Sequence, residues 1–411
     1  MRINMSHINY LAFAIPAFFL FVFIEYRVAQ HRRQKTVFKY ESSVANFSIG
    51  IAERLLNLFI AASFYQVYFW VYNNYAIFNI SDKWYMWFIL LLATDLVWYW
   101  YHRLGHEINF LWAAHIVHHQ SEEFNLTTAA RITTIQAVFR NVFWCTLPLI
   151  GFHPNMIITI LLAHGAYSFF THTQLIGKLG LLEHIFITPS LHGVHHASDE
   201  KYLDKNYGDV FVFWDKLFGT FQTEEEAPKY GLTHPIKSYS FLWQHFHYYL
   251  EILEACKRAT SFKAKINAVF GSPALMDQNI RPYLEEKYHQ AKKQTKPIQF
   301  KFYLNLQLVI VVGLLTLVTL FFKQLSALDG AAVLTFILLS LINIGALLEQ
   351  RRWIYYLECF RLILTTAYIF YSFNIIEYLA LPVLLFIVLE RVFSLSDKYY
   401  KYVLDYQKTS K

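Results

Sequence analysis

Apolar runs long enough to cross a bilayer recur along this chain, and they limit its fold more than any other feature. In lipid every backbone polar group must be satisfied within the chain, so runs of this length read as helices. They are Ile8–Ile24, Val44–Ile80, Trp84–Tyr101, a hairpin of 135–150 and 156–170, and then Phe302–Phe322, Ala331–Leu348, Trp353–Phe373 and Tyr378–Val392. The second run is broken by Glu53, Arg54 and Asn73-Asn74, and the hairpin turns at Gly151-Phe-His-Pro154. With 56% of its 411 residues hydrophobic and only 16% charged, the chain is expected to be an all-α integral membrane protein, a multi-span helical bundle. Three regions follow: N-terminal membrane helices over 1–83, a more polar histidine-rich region over 84–300, and C-terminal membrane helices over 301–411, read as two extra helical hairpins.

The net charge of +7 resides largely in loops. Arg27, Arg32, Arg33 and Lys35 follow the first run, and Lys296, Lys301, Arg351, Arg352, Arg391 and Lys398 flank the later ones. The positive-inside bias places these ends in the cytoplasm. Glu25 reads as the end of the first run, which is expected to be a retained spanning helix. Lys292–Lys301 reads as a basic linker, and Gly177–Ile187 and Phe241–Leu253 as helices lying on the membrane face. Glu349, Glu358, Glu377 and Glu390 lie near span ends, where solvated carboxylates are ordinary. Basic residues are not interleaved with aromatics as nucleic-acid channels require, so that partner is excluded. Cys145, Cys256 and Cys359 are scattered without a Cys-x-x-Cys pair, which speaks against a disulfide framework or a thiolate site.

Five of the 18 histidines fall within His102–His119, where even spreading would place fewer than one. His102 and His106 are four apart and share a helix face; His115, His118 and His119 stand at i, i+3 and i+4. His192, His195 and His196 repeat that spacing 77 residues later. A lone histidine is more often packed or solvated than a ligand. Three one-faced groups differ, because uncoordinated imidazoles would crowd one another and leave nitrogens unpaired. Eight imidazoles exceed the needs of one ion and suggest a two-metal site at the cytoplasmic mouth of the helices. His172, at a membrane exit ahead of the third group, is a ninth candidate ligand. His164, His184, His234, His245, His247 and His289 are expected to be packed or solvated. Asp95 lies two turns before His102 on the same face. It is expected either to orient a ligand imidazole or to bond to a neighbouring helix. His106-Glu107 lacks the second histidine of a zincin helix, and no nucleotide or haem fingerprint occurs, so reducing equivalents must come from outside.

His102-x3-His106-Glu107, His115-x2-His118-His119 and His192-x2-His195-His196 resemble the three histidine boxes of the fatty acid hydroxylase / sterol desaturase superfamily. The surrounding Asp95-Leu-Val-Trp-Tyr-Trp-Tyr-His-Arg, Asn125-Leu-Thr-Thr-Ala, His172-Thr, Thr188-Pro-Ser-Leu-His-Gly-Val-His-His, Asp204-Lys-Asn-Tyr-Gly and Trp214-Asp-Lys-Leu-Phe-Gly-Thr-Phe are similar to its alkylglycerol monooxygenase branch. The resemblance spans about Ile89 to Gln222. It implies a di-iron oxygenase that uses O2 to hydroxylate a lipid chain, with the eight box histidines and His172 as ligands. It implies Glu107 as a neighbouring acidic group or extra ligand. In that branch the carbon beside an ether oxygen is attacked, and tetrahydrobiopterin is the reductant; other branches draw electrons from a b-type cytochrome, an electron-donor protein. Asn125, Thr127, Thr128 and Arg131 follow the second box and are placed to meet a lipid headgroup, against ordinary helix capping; Lys205, Asn206 and Tyr207 are similarly placed. The competing readings are a desaturase or sterol oxidase on the same scaffold, a histidine-rich metal transporter, and a zinc-dependent membrane hydrolase, zinc being also the ion a purified sample could carry in place of iron.

Overall fold

A computed structural model describes residues 8–289 and 300–404. Among them the chain is helical with no strand; two isolated bridges pair Phe186 with Phe211 and Ala197 with Tyr230. It divides into two compact units: Phe18–Lys237 with Gln244–His289, and Met1–Ala17 with Ser238–Trp243 and Gln290–Lys411. The N-terminal helices, expected as a region of their own, therefore belong for the most part with the histidine region. The basic linker Lys292–Lys301 lies, apart from its last residue, outside the described residues.

The first unit opens with α1 (Ala14–His31), which begins before the unit boundary, and α2 (Tyr40–Tyr75). α1 runs beyond Glu25, and that carboxylate is buried. α2 is one unbroken helix where the sequence suggested a span plus a separate interfacial piece. At 36 residues it extends about 54 Å at 1.5 Å per residue. The half nearer its start is buried in protein, from Ser42 to Leu55, and is polar enough to include Asn46, Ser48 and Glu53. Then come α3 (Trp84–Glu107), α4 (Asn109–His115), α5 (Thr134–Trp144), α6 (Thr146–Ile150), α7 (Pro154–Thr171), α8 (Pro189–His195) and α9 (Phe213–Phe218). α10 (Phe241–Arg258), α11 (Phe262–Phe270) and α12 (Ile280–Leu284) complete the unit. The hairpin between α6 and α7 turns at Gly151, whose φ of +124° suits glycine. A β-carbon there would collide with the Phe78 carbonyl. The segment 177–187 is a 3-10 turn over Gly180–His184, not the expected membrane-face helix. The core of α2, α3, α5, α6 and α7 gathers Tyr68, Leu90, Trp144, Leu147, Met156 and Ile157.

The second unit is built from α13 (Lys301–Leu320), α14 (Ala327–Leu348), α15 (Ile354–Ser372), α16 (Ala380–Phe393) and α17 (Leu395–Tyr402). α14 packs on both α13 and α15. Among the described residues, four helical segments are long and apolar enough to cross a membrane: Tyr10–His31, Lys35–Tyr75, Lys301–Leu320 and Ala327–Leu348. The pair Ile376–Phe393 and Leu395–Tyr402, bent by 68°, makes up to a fifth. α3 and α15, read from the sequence as spans, are continuous helices but do not join that set. Glu358, expected to be solvated, is buried and accepts hydrogen bonds from Asn343, Tyr303 and Tyr399.

Candidate metal centre

The end of α3 carries His102 and His106. A kink at Ile108, whose amide closes on the Leu104 carbonyl, turns the chain into α4, which ends on His115. One 3-10 turn, His118–Gln120, follows. His172 caps the C-terminus of α7. α8 starts on the Thr188 hydroxyl and Pro189, as an N-cap and first turn favour, and presents His192 and His195 with His196 as its C-cap.

These nine imidazoles fall into two groups, each able to hold a metal ion. His102, His106, His115, His119 and His195 form one; His118, His172, His192 and His196 form the other. Within each group the candidate ligand nitrogens lie within 4.8 Å of one another. Neighbours in sequence part company: His118 and His119 go to different groups, as do His195 and His196. Their rings stand 5.4 Å apart in both pairs, at 86° and 89°.

The donor chemistry fits a cation. His102 Nδ1 lies 2.8 Å from the Tyr207 carbonyl, His195 Nδ1 2.9 Å from that of Lys205, and His172 Nδ1 2.7 Å from that of Ser168. A carbonyl only accepts, so each Nδ1 carries the proton and each Nε2 is left with its lone pair. Those lone pairs face other imidazole nitrogens: His102 and His115 Nε2 are 3.0 Å apart, and His172 Nε2 lies 3.0 Å from His192 and 3.1 Å from His118. His106, His195 and His196 Nε2 are buried without a hydrogen-bond partner. Crowded lone pairs in a buried pocket are costly unless an ion collects them. Burial, reinforced by neighbouring imidazoles, pushes His118, His119, His192 and His196 well below the usual imidazole range. Burial likewise lowers His115 to about 3 and His172 and His195 to about 4, the last two against the pull of their carbonyl bonds. All seven are therefore neutral, the form that ligates metal.

The remaining candidates lie elsewhere. Asp95 does not meet His102. Its Oδ1 accepts from His164 Nε2 at 3.0 Å, and its two oxygens take the amides of Val210 and Phe211. His164 Nδ1 lies 2.7 Å from Asp209 Oδ2, so this histidine bridges two buried carboxylates. Both ring nitrogens face acceptors, which only the imidazolium can serve. Glu107 points outward, exposed, and pairs with Arg103 at 2.8 Å. Arg131 is 2% exposed and spends its donors on the Val117 carbonyl, Asn46 and Gln120. Asn125 donates to the Val37 carbonyl, and Thr128 to that of Glu123. These three, expected to face a lipid headgroup, do otherwise: Arg131 and Asn125 tie α2 and its approach to the segment after the second box, and Thr128 closes its own turn, because buried polar groups must be satisfied. Glu25 of α1 joins them, accepting from the Leu126 amide and the Thr173 hydroxyl.

Lys205, Asn206 and Tyr207, expected to be placed for a lipid headgroup, lie in the loop from Asp204 to Phe211, which supplies two of the three orienting carbonyls. Asp204 and Asn206 adopt positive φ, 58° and 53°, an uncommon conformation for residues with side chains. Asn206 is buried, donates to the Leu191 and Gln222 carbonyls and accepts from the Gln222 amide. Asp215 accepts from the amides of Tyr207 and Gly208 and from Thr220. Nothing in the sequence signals that Lys205 and Tyr207 serve through their backbone carbonyls.

The fatty acid hydroxylase family model matches residues 87–220. Alkylglycerol monooxygenase of Homo sapiens is 32% identical over 351 residues, covering 84% of this chain and 78% of that protein. The Danio rerio alkylglycerol monooxygenase is 30% identical over 397 residues, 94% of this chain and 88% of that protein. An ornithine lipid hydroxylase of Rhizobium tropici is 31% identical over 144 residues, 34% of this chain and 44% of that protein. No solved structure matches the chain.

Proposed function

The chain belongs to the fatty acid hydroxylase family, and from that premise we propose a di-iron membrane monooxygenase acting on ether lipids of the alkylglycerol class. The coarser part, a membrane lipid hydroxylase, is carried by its relatives. The single observation behind the di-iron part is the gathering of nine imidazoles, eight buried and His106 partly so, into groups of five and four. When bound, iron would supply the activation of O2, one oxygen atom entering a C–H bond and the other leaving as water with two electrons and two protons from a reductant. Tetrahydrobiopterin or an electron-donor protein is the source.

The chain's own residues do the rest. Tyr207, Lys205 and Ser168 hold His102, His195 and His172 in one tautomer through their carbonyls. Trp98, Trp112 and Phe124 pack against the imidazoles and keep water away. Hydroxylation of the carbon beside an ether oxygen gives a hemiacetal, which collapses to an aldehyde and glycerol. The basic ends at Arg27, Arg32 and Arg33 support a site on the cytoplasmic side.

The test is anaerobic iron loading of the purified protein, followed by O2 uptake with a labelled alkylglycerol, with and without the pterin. The expected result is two irons per chain and O2-dependent release of labelled aldehyde. Product formation without O2, or with zinc alone, would overturn the oxygenase reading; a new double bond would point to a desaturase.

A further inference from the structure

Residues 300–404 contain no histidine, yet they hold a cavity of about 740 Å3 between α13, α14 and α15. Ile310, Ala332, Phe336 and Leu339 give it apolar walls, with Thr335, Thr365 and Tyr368 as polar points and Arg361 as its one charged residue. Leu328 and Tyr371, also lining it, are exposed, so the space is reachable from outside the unit. Its volume lies in the range of about 300–1,000 Å3 usual for small-ligand sites, room for one lipid chain.

Arg361 is 7% exposed. Its Nη1 donates to Gln307 at 2.8 Å and to Ser340 at 2.9 Å, and its guanidinium lies 5.5 Å from the Phe336 ring centre. Its Nε–H is buried without a partner. A buried guanidinium among apolar helices is costly and calls for an acceptor. Glu358, one turn earlier, does not supply it. Its oxygens take Asn343, Tyr303 and Tyr399. Asn343 also donates to Gln307 at 3.0 Å, so Arg361 and Glu358 are linked through two amides, and their charges already balance. Gln307 Nε2 and Asn343 Oδ1 of this network are likewise buried without a partner; an anionic ligand would add a second buried negative charge to it, whereas an uncharged oxygen would accept from the guanidinium that lines the cavity without one.

We propose that this cavity binds an uncharged single-chain lipid whose polar end, a hydroxyl, ether or ester oxygen, accepts from Arg361. The site is separate from the histidine groups and does not depend on the reading given to them.

The full-length protein in nanodiscs is irradiated with a diazirine-bearing monoacylglycerol and, separately, with the matching fatty acid, and the labelled peptides are mapped. The monoacylglycerol labels α14 and α15, the fatty acid far less. Arg361→Met removes the donor, and loss of a hydrogen bond to a charged group predicts roughly tenfold weaker labelling. Ala332→Trp fills the space while keeping the guanidinium and weakens labelling to a similar degree, so the site is tested even where the arginine variant fails to fold. Thermal melts of each variant report whether the fold is intact. Labelling of these helices that is indifferent to Ala332→Trp, or equal or stronger with the fatty acid, overturns the proposal.

Discussion

At the scale of single residues, the histidine spacing and the histidine environment carry different information. Ligand candidates at i, i+3 and i+4 can be read directly, because one helical turn brings them to one face. What orients them cannot. Asp95 has a carboxylate two turns from His102, yet its partners are His164, 69 positions on, and amides more than 110 positions on. Arg131 and Asn125 looked ligand-facing because they are polar beside a box; burial, which makes them structural, leaves no mark in the sequence. His164 carries a sharp prediction. Replacing it with Phe leaves Asp95 and Asp209 buried and uncompensated, which should cost roughly 3–5 kcal/mol. It should also loosen the loop behind His102 and His195. Chemical melts and iron content measure the two effects; a variant that melts and binds iron as the parent does would contradict this account.

At the scale of elements, α2 shows how much a helix can conceal. Its length and apolarity were legible, but its buried polar half was not, since a helix packed on protein and a helix packed on lipid can share a composition. Asn46 bonds to Thr127 and Arg131, and Gly50 sits against Ala130, where a β-carbon would come within 2.7 Å. Gly50→Leu should push α2 off the turn at Thr128–Ala130, costing about 1–3 kcal/mol through overpacking. The variant should lose metal as well as stability, although residue 50 touches no histidine; an unchanged metal content would show that α2 and the second box are independent.

At the scale of the whole molecule, seven imidazoles held neutral in one interior tie folding to proton and metal supply. His115, His172 and His195 titrate at about 3, 4 and 4 when folded, against 6.5 ordinarily. Between those values and 6.5 the unfolded chain binds protons that the folded chain refuses, so stability rises with pH. The metal-stripped protein should therefore lose stability progressively as the pH falls below about 6.5, and on the proposed reading iron, taken up by the same neutral nitrogens, should raise its melting temperature. Melts at pH 7.5 and pH 5, with and without iron, read both effects; equal midpoints at the two pH values would refute the first.

The parting of His118 from His119, and of His195 from His196, has a mechanical outcome. Successive α-carbons stand 3.80 Å apart across a trans peptide bond, and that length does not stretch. Two such peptide units therefore act as fixed crossbars between the two histidine groups. Neither group can drift from the other without dragging a neighbour's ring, so loosening one should deform its twin.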